Sequence, residues 1–355
     1  MKAVEIDGSY GEGGGQILRT SLTLSILTQR PVRIHHIRLG RKAPGLRPQH
    51  LMSAQAAAEI CGGRLTGAEL GATELSFYPG HVRAGRYNFD VGAKAGSAGS
   101  VSLILQTVLS PLGFAQSSSK IGLKGGTHVP WSPSVDYIRD VFIPTVASMG
   151  LKAKLEVPVC GFYPAGGGVM NVTIDPFRHP LKPLWIKERG ALKRLWVSSA
   201  VANLPLSIAD RQLNRMIRRL AECGLTPQGK SQSVASPGKG TFCFILAQFD
   251  CIRAGFSAIG AIGKRAEQVA DEAAEAFIRF QNRSGALDSH LADQIVPLMA
   301  VAEGQSAVSL STLTDHLRTN IWVVEQFLPA KFVLSEGPDG KEGDLMVTGV
   351  GLRTD

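Results

Sequence analysis

The chain has 355 residues, 44% hydrophobic and 19% charged. That balance belongs to a globular protein with a core and excludes both a highly charged disordered chain and a small stapled peptide. Lys plus Arg number 38 against 29 for Asp plus Glu, a net charge of +9, which favours polyanions such as nucleic acid or nucleotide phosphates as partners. At about 150 residues per domain, the length suggests roughly two domains or one domain carrying an insert. Cys61, Cys160, Cys223, Cys243 and Cys251 are odd in number and form no Cys-x-x-Cys pair. Neither a disulfide framework nor a zinc knuckle is expected, and a reducing cytoplasm fits best. The amino terminus is too polar for a signal peptide, and no apolar run reaches the roughly 20 residues needed to span a bilayer, so no membrane association is expected.

In chain order, a short strand over Ala3–Ile6 is followed by the glycine loop Gly11–Gly15 and by a helix from Gln16 to Leu27, where Ile17, Leu24 and Leu27 recur with helical spacing. A second unit runs from a strand at Tyr87–Val91 through the glycine cluster Gly92–Gly99 to a helix at Val101–Leu109. The stretch from about Pro183 to Phe280 has fewer glycine loops and reads as an insert with two amphipathic helices. In Ala209–Cys223, Leu213, Met216, Ile217 and Leu220 form the apolar stripe, and Arg211, Arg215 and Arg218 form either a solvated face or an RNA surface. In Ala266–Phe280, Ala266, Ala270, Ala273, Phe277 and Phe280 make a core-facing stripe. A third unit places a strand at Ser306–Leu310, a loop at Ser311–Asp315 and a helix at Arg318–Leu328 that ends before Pro329. Repeated strand, loop and helix units predict an α/β or α+β fold built from similar modules.

Between Gly13 and Ala58 there is no acidic residue, while Arg19, Arg30, Arg33, Arg38, Arg41, Lys42 and Arg47 contribute +7 of the whole chain's +9. Arginine forks suit phosphate oxygens, and the loop Gly11–Gln16 opening a helix offers backbone N–H groups to an anion. The loop is not a dinucleotide fingerprint, because Gln16 stands where the last glycine belongs, and no Gly-Lys-Ser/Thr follows to make a P-loop. Glu12 within this cationic loop reads either as a ligand for a divalent metal or as a helix first-turn acid. His316 follows a polar loop and enters a helix, with Asp315 before it and Arg318 close by. It is either an exposed nucleophile or base, with Asp315 orienting it and Arg318 binding phosphate, or a surface histidine near a helix start.

The runs Asp7–Arg19, Ile37–His50, Leu105–Leu109, Gly161–Gly168, His290–Gln294 and His316–Asn320 together resemble, in order, the motifs of the RNA 3′-terminal phosphate cyclase family, and the resemblance covers essentially the whole chain. It implies a large domain of three repeated βα modules (1–183 and 281–355), similar to the carboxyl-terminal domain of translation initiation factor 3, interrupted by a smaller inserted α/β domain (184–280). It also implies an enzyme that uses ATP and a divalent metal, Mg or Mn, to convert an RNA 3′-phosphate into a 2′,3′-cyclic phosphate through histidine-bound AMP. By position His316 is similar to the nucleophile and Glu12 to the metal ligand. Gln106, Pro133, His290, Leu291, Ala292, Asp293 and Gln294 correspond to the ATP pocket. Arg19, Arg38, Arg41 and Gln49 correspond to the grip on the RNA phosphate.

Three departures stand out: Cys160 where the family usually has a basic residue, His290 where some members have tyrosine, and a longer segment at Gly92–Ser100. A non-catalytic relative acting as an RNA-binding or ribosome-assembly factor is the alternative, disfavoured because that branch lacks the histidine. An enolpyruvyl transferase, which shares the repeated-module plan, would leave the charge and the histidine motif unexplained.

Overall fold

Three four-stranded sheets with one strand order organise the chain, and each is parallel at one edge and antiparallel beyond it. The structure is a computed structural model that describes residues 2–92 and 98–353. Most of the segment Gly92–Ser100, expected to be long, therefore lies outside the described residues.

The first unit runs β1 (Val4–Asp7), α1 (Gly15–Thr28), β2 (Val32–His35), α2 (Pro48–Cys61), β3 (Arg64–Thr66) and β4 (Leu75–Tyr78), in sheet order β1-β2-β4-β3. The second runs β5 (Arg86–Asp90), α3 (Val101–Gly113), β6 (Ser119–Gly125), α4 (Val135–Tyr137), a π-helical turn at Ile138–Phe142, α5 (Ile143–Ser148), β7 (Ala153–Val159) and β8 (Gly168–Ile174), in order β5-β6-β8-β7. The third begins with β9 (Trp185–Ile186). Before it continues, the chain builds a separate sheet from β10 (Leu192–Ala202), β11 (Gln228–Ser233), β12 (Gly240–Phe249) and β13 (Arg253–Ile259), with helices α6 (Leu206–Ala221) and α7 (Ala266–Gln281) packed on it. The third unit then resumes with α8 (Leu291–Val301), β14 (Glu303–Leu310), α9 (Asp315–Phe327), β15 (Lys331–Glu336) and β16 (Gly343–Val350), in order β9-β14-β16-β15. The chain is thus a mixed α/β protein with a repeated β-α-β-α-β-β plan.

This plan shifts the phase of the third unit read from the sequence. Ser306–Leu310 falls on β14 and Arg318–Leu328 mostly on α9, and these hold the places of β2 and α2 rather than of β1 and α1. The true counterpart of β1 is β9, which pairs in parallel with β14 through Ala307–Trp185 and Val308–Ile186. Two residues carry no periodicity, and the intervening sheet separates them from α8, so local pattern could not find them. Helix α9 also starts earlier than expected, at Asp315, because the Thr314 hydroxyl accepts a hydrogen bond from the Leu317 N–H at 3.0 Å and caps the first turn.

Strands such as β1, β2, β6 and β8 alternate between buried and more exposed residues, so each of their sheets turns one face to a core and one outward. Helix α1 is buried from Ile17 to Leu18 and from Thr20 to Ile26 and packs on α2, α3 and α9. Its hydroxyls Thr23 and Thr20 stay bonded inside that core, Thr23 donating to the Thr107 carbonyl at 2.8 Å and Thr20 to Asn320 Oδ1 at 2.7 Å. On the arginine face of α6, Arg211 pairs with Glu267 at 2.9 Å and Arg215 with Asp271 at 2.7 Å, both acids being on α7, while Arg218 is exposed. The five cysteines are free. Among the described residues, no helix is long and apolar enough to cross a membrane.

Phe277 on α7 is fully buried, whereas Ile262 in the loop before α7 is fully exposed. Phe277→Ala should lower unfolding stability by about 3–5 kcal/mol, and Ile262→Ala should leave it unchanged within roughly 0.5 kcal/mol. Urea titrations followed by circular dichroism measure both.

Candidate active site

The first turns of α1, α2, α3, α4, α8 and α9 all contribute residues to one cavity of about 1450 Å³. Each helix start presents partial positive charge from its unpaired N–H groups, so the shared plan of the units aims several such ends at a common point. The starts are not equivalent. Those of α1 and α3 have no side-chain cap. By contrast, Asp288 Oδ1 accepts from the His290 and Leu291 N–H groups at the head of α8, at 3.0 and 3.1 Å, and Thr314 caps α9. The Ser134 hydroxyl likewise caps α4, accepting from the Tyr137 N–H at 3.2 Å, and at the start of α3 the Val101 N–H donates to the Gly126 carbonyl at 3.0 Å. The start best placed to receive an anion is therefore that of α1, behind the glycine loop.

The glycine loop before α1 has a steric reason. Gly11 and Gly13 have φ of 54° and 61°, in the left-handed region. A Cβ on Gly15 would run into His50 and Arg19. The loop can therefore fold tightly enough to bring Glu12 under α9, where its N–H donates to Thr319 Oγ1 at 3.2 Å.

Six arginines line the cavity (Arg19, Arg38, Arg41, Arg47, Arg279 and Arg283) against two carboxylates, Glu12 and Asp293. Arg19 is half-buried, and loss of solvent pushes its guanidinium down to about 10, so it stays cationic at neutral pH. Arg38, with φ of 54°, donates to the carbonyls of Ala43 and Gly45 at 2.7 and 3.0 Å, which fixes the loop it sits in. Arg41 pairs with the Glu12 carboxylate and also donates to its carbonyl at 2.9 Å. His50 is buried, and desolvation followed by repulsion from Arg19, Arg38 and Arg47 lowers it to about 3. It is thus a neutral ring whose Nδ1 accepts the Arg47 N–H at 3.1 Å.

His316 opens α9 and is exposed to the cavity. Its Nδ1 bonds to Gln16 Oε1 from α1, and Glu12 Oε2 lies 3.6 Å from the same nitrogen. The partners expected beside it in sequence are elsewhere: Arg318 bridges to Glu336 at 2.5 Å, and Asp315 lies outside the cavity lining, its carbonyl accepting from Thr319. A helix sends neighbours in sequence to different faces, so sequence adjacency misidentified the orienting group and Gln16, 300 positions away, takes that place.

Across the cavity, Gln106 donates to Gln294 Oε1 at 2.6 Å, and Gln294 donates to the His290 carbonyl at 2.9 Å. Burial, with Asp288 nearby, raises the Asp293 carboxyl to about 7, and it accepts the Thr314 hydroxyl at 2.6 Å. Asp288 is buried too and pushed upward by desolvation. It receives the Tyr137 hydroxyl at 2.8 Å and the Gly255 N–H at 3.3 Å, tying α4, β13 and the head of α8 together.

Of the residues expected at the site, Glu12, Arg19, Arg38, Arg41, Gln49, Gln106, Pro133, His290, Asp293, Gln294 and His316 line the cavity. Leu291 and Ala292 are buried and do not line it. Cys160 is buried and off the lining, and desolvation raises its thiol to about 11. Sequence reasoning missed Gln16 and Asn320 as partners, and Arg279 and Arg283 as lining residues. The latter pair could be found only by knowing that α7 folds back over the site.

The chain's residues 10–334 match the family model described as RNA 3′-terminal phosphate cyclase. A protein of that name from Methylococcus capsulatus is 44% identical over 330 residues, covering 92% of this chain and 91% of the relative. Another from Desulfurococcus amylolyticus is 40% identical, covering 99% of this chain and all of the relative. A third from Thermococcus onnurineus is 41% identical over 98% of this chain and all of the relative. With its repeated units, its cationic cavity and this likeness along nearly its full length, the chain belongs to the RNA 3′-terminal phosphate cyclase family of ligase-type enzymes.

Proposed function

We propose that the protein uses ATP to convert the 3′-phosphate of an RNA into a 2′,3′-cyclic phosphodiester, with His316 as the nucleophile that takes up AMP. The observation that carries this reading is the setting of the imidazole. Its Nδ1–H donates to Gln16 Oε1, which leaves the Nε2 lone pair free in a cavity lined with arginines. Burial, then the charges of Arg19, His290 and Arg41, outweigh the opposing charge of Asp315 and hold its pKa below the ordinary 6.5, so the ring is unprotonated at neutral pH. A purely RNA-binding relative has no use for such a group.

Nε2 attacks the α-phosphorus of ATP; an N–P bond forms, the bond to the bridging oxygen breaks, and pyrophosphate leaves with that electron pair. An oxygen of the RNA 3′-phosphate next attacks the same phosphorus, and the P–N pair returns to the imidazole. The RNA phosphate now carries AMP as a good leaving group, so attack by the neighbouring 2′-hydroxyl, with loss of its proton, closes the ring and expels AMP. The uncapped start of α1, with Arg19, Arg38 and Arg41, supplies fixed positive charge where phosphate oxygens gather, and Gln49, whose Oε1 accepts the Ser100 N–H at 3.2 Å, adds a polar group there.

Gln106, Pro133, His290, Asp293 and Gln294 hold the nucleotide, and Leu291 and Ala292 pack the helix behind them. Glu12 fits a divalent ion, Mg²⁺ or Mn²⁺: it is a hard oxygen donor beside His316, and the cavity's other carboxyl, Asp293, is partly protonated near neutrality. When bound, such an ion would neutralise charge on the phosphate oxygens. The same reading treats 1–183 with 281–355 as the catalytic unit, similar in plan to the carboxyl-terminal domain of translation initiation factor 3, and 184–280 as an insert, except that β9 (Trp185–Ile186) pairs with β14 and so joins the catalytic unit. Its setting is a reducing cytoplasm, where free thiols persist.

His316→Ala should abolish transfer of label from α-labelled ATP to the protein and leave an RNA 3′-phosphate open to phosphatase; persisting acid-labile AMP on the variant would move the nucleophile elsewhere. The acid limb for enzyme–AMP formation should lie below pH 6.5. Arg41→Met should shift that limb upward, because removing a nearby cation makes the imidazolium easier to form; a downward shift or none contradicts the assignment. Arg38→Ala should raise the KM for RNA about tenfold or more, the scale of a lost charge-assisted hydrogen bond, with a smaller effect on enzyme–AMP formation.

A further inference from the structure

Two aromatic rings stand open at the cavity. Trp131 is 100% exposed and Tyr163 is 67% exposed, and both belong to its lining. Apolar rings of this size are usually covered, and Trp131 also holds φ of 64°, a backbone state uncommon for a bulky residue.

The loops that carry them are anchored from below. His128 is buried with its ring stacked 3.9 Å from Phe242 and 5.4 Å from Phe162, between centroids. Its Nε2 lies 2.8 Å from Asp136, which also takes Arg139 at 2.7 Å, and its Nδ1 lies 2.9 Å from the Thr127 hydroxyl. The Thr127 and His128 N–H groups donate to the Gly161 carbonyl at 2.9 and 3.0 Å, so the two loops are joined at their bases. Both rings are therefore presented on fixed supports, and among the described residues no aromatic ring stacks against either.

We infer that Trp131 and Tyr163 form a stacking platform for the RNA bases immediately 5′ of the terminal nucleotide. This rests on the reading of the cavity as an RNA 3′-phosphate site. A strand whose terminal phosphate lies among Arg19, Arg38 and Arg41 must leave through the cavity mouth, and the bases next to the end pass the exposed rings. Arginines give the backbone its grip, and aromatic faces take bases without regard to sequence, which is the usual division of labour on single strands. The cationic lining disfavours an apolar peptide as the occupant.

The test is equilibrium binding of a 5′-fluorescein hexaribonucleotide 3′-phosphate by anisotropy, beside the same oligonucleotide with abasic riboses at the second and third positions from the 3′ end. Trp131→Ala and Tyr163→Ala should each weaken binding of the intact strand about tenfold. Wild type should lose a similar factor on the abasic strand, and Trp131→Ala should no longer distinguish the two. Because the Trp131 side chain is fully exposed, the melting temperature of its variant should match wild type, so a loss of binding is not a loss of fold. Wild-type affinity of both variants for the intact strand overturns the platform, as does a weakening confined to ATP. Cyclisation of the hexamer by wild type is scored separately: its absence with the expected binding pattern sinks the catalytic reading and leaves the platform, whereas cyclisation with unchanged binding sinks the platform alone.

Discussion

Positive charge that cannot be neutralised from within the chain is the constraint on which the site depends. Helix starts from all three units meet at one cavity, six arginines join them, and among the described residues of its lining only Glu12 and Asp293 oppose them. Glu12 already pairs with Arg41, and Asp293 is partly protonated near neutrality. Such a cavity favours an anionic occupant.

The three units differ in how they use the same geometry. The first contributes the uncapped α1, the glycine loop and most of the arginines. The third contributes capped helices, with Asp288 and Thr314 occupying the N–H groups that would otherwise bind an anion, and so frees its first turns to present His290, Asp293 and His316. Gln16 joins the two halves by reaching from α1 to the imidazole of α9. Chemistry is thus divided between copies of one motif.

Much of this is legible in the sequence because it is local. The glycine loop, the +7 stretch around Arg19 to Arg47 and the helical spacing of α1, α3, α6 and α7 are short-range patterns, and the ordered motifs point to the family. What the sequence hides is non-local. The third unit reads one strand late because β9 is two residues long and is followed by a separate sheet. Asp315 and Arg318 pair with His316 on paper because they are near it in sequence, although helix geometry turns them away. Arg211 and Arg215 on α6 can be assigned only once α7 supplies Glu267 and Asp271.

The position of the additional sheet carries a last consequence. It enters between β9 and α8, the place that in the first unit is filled by the short glycine loop, so it interrupts a connection rather than a strand or a helix. Gly255, Ser257 and Arg279 from this part of the chain nonetheless form one wall of the cavity. That wall can therefore change by lengthening, trimming or exchanging a single excursion of the chain, without disturbing the helix starts that carry His316 and the arginines.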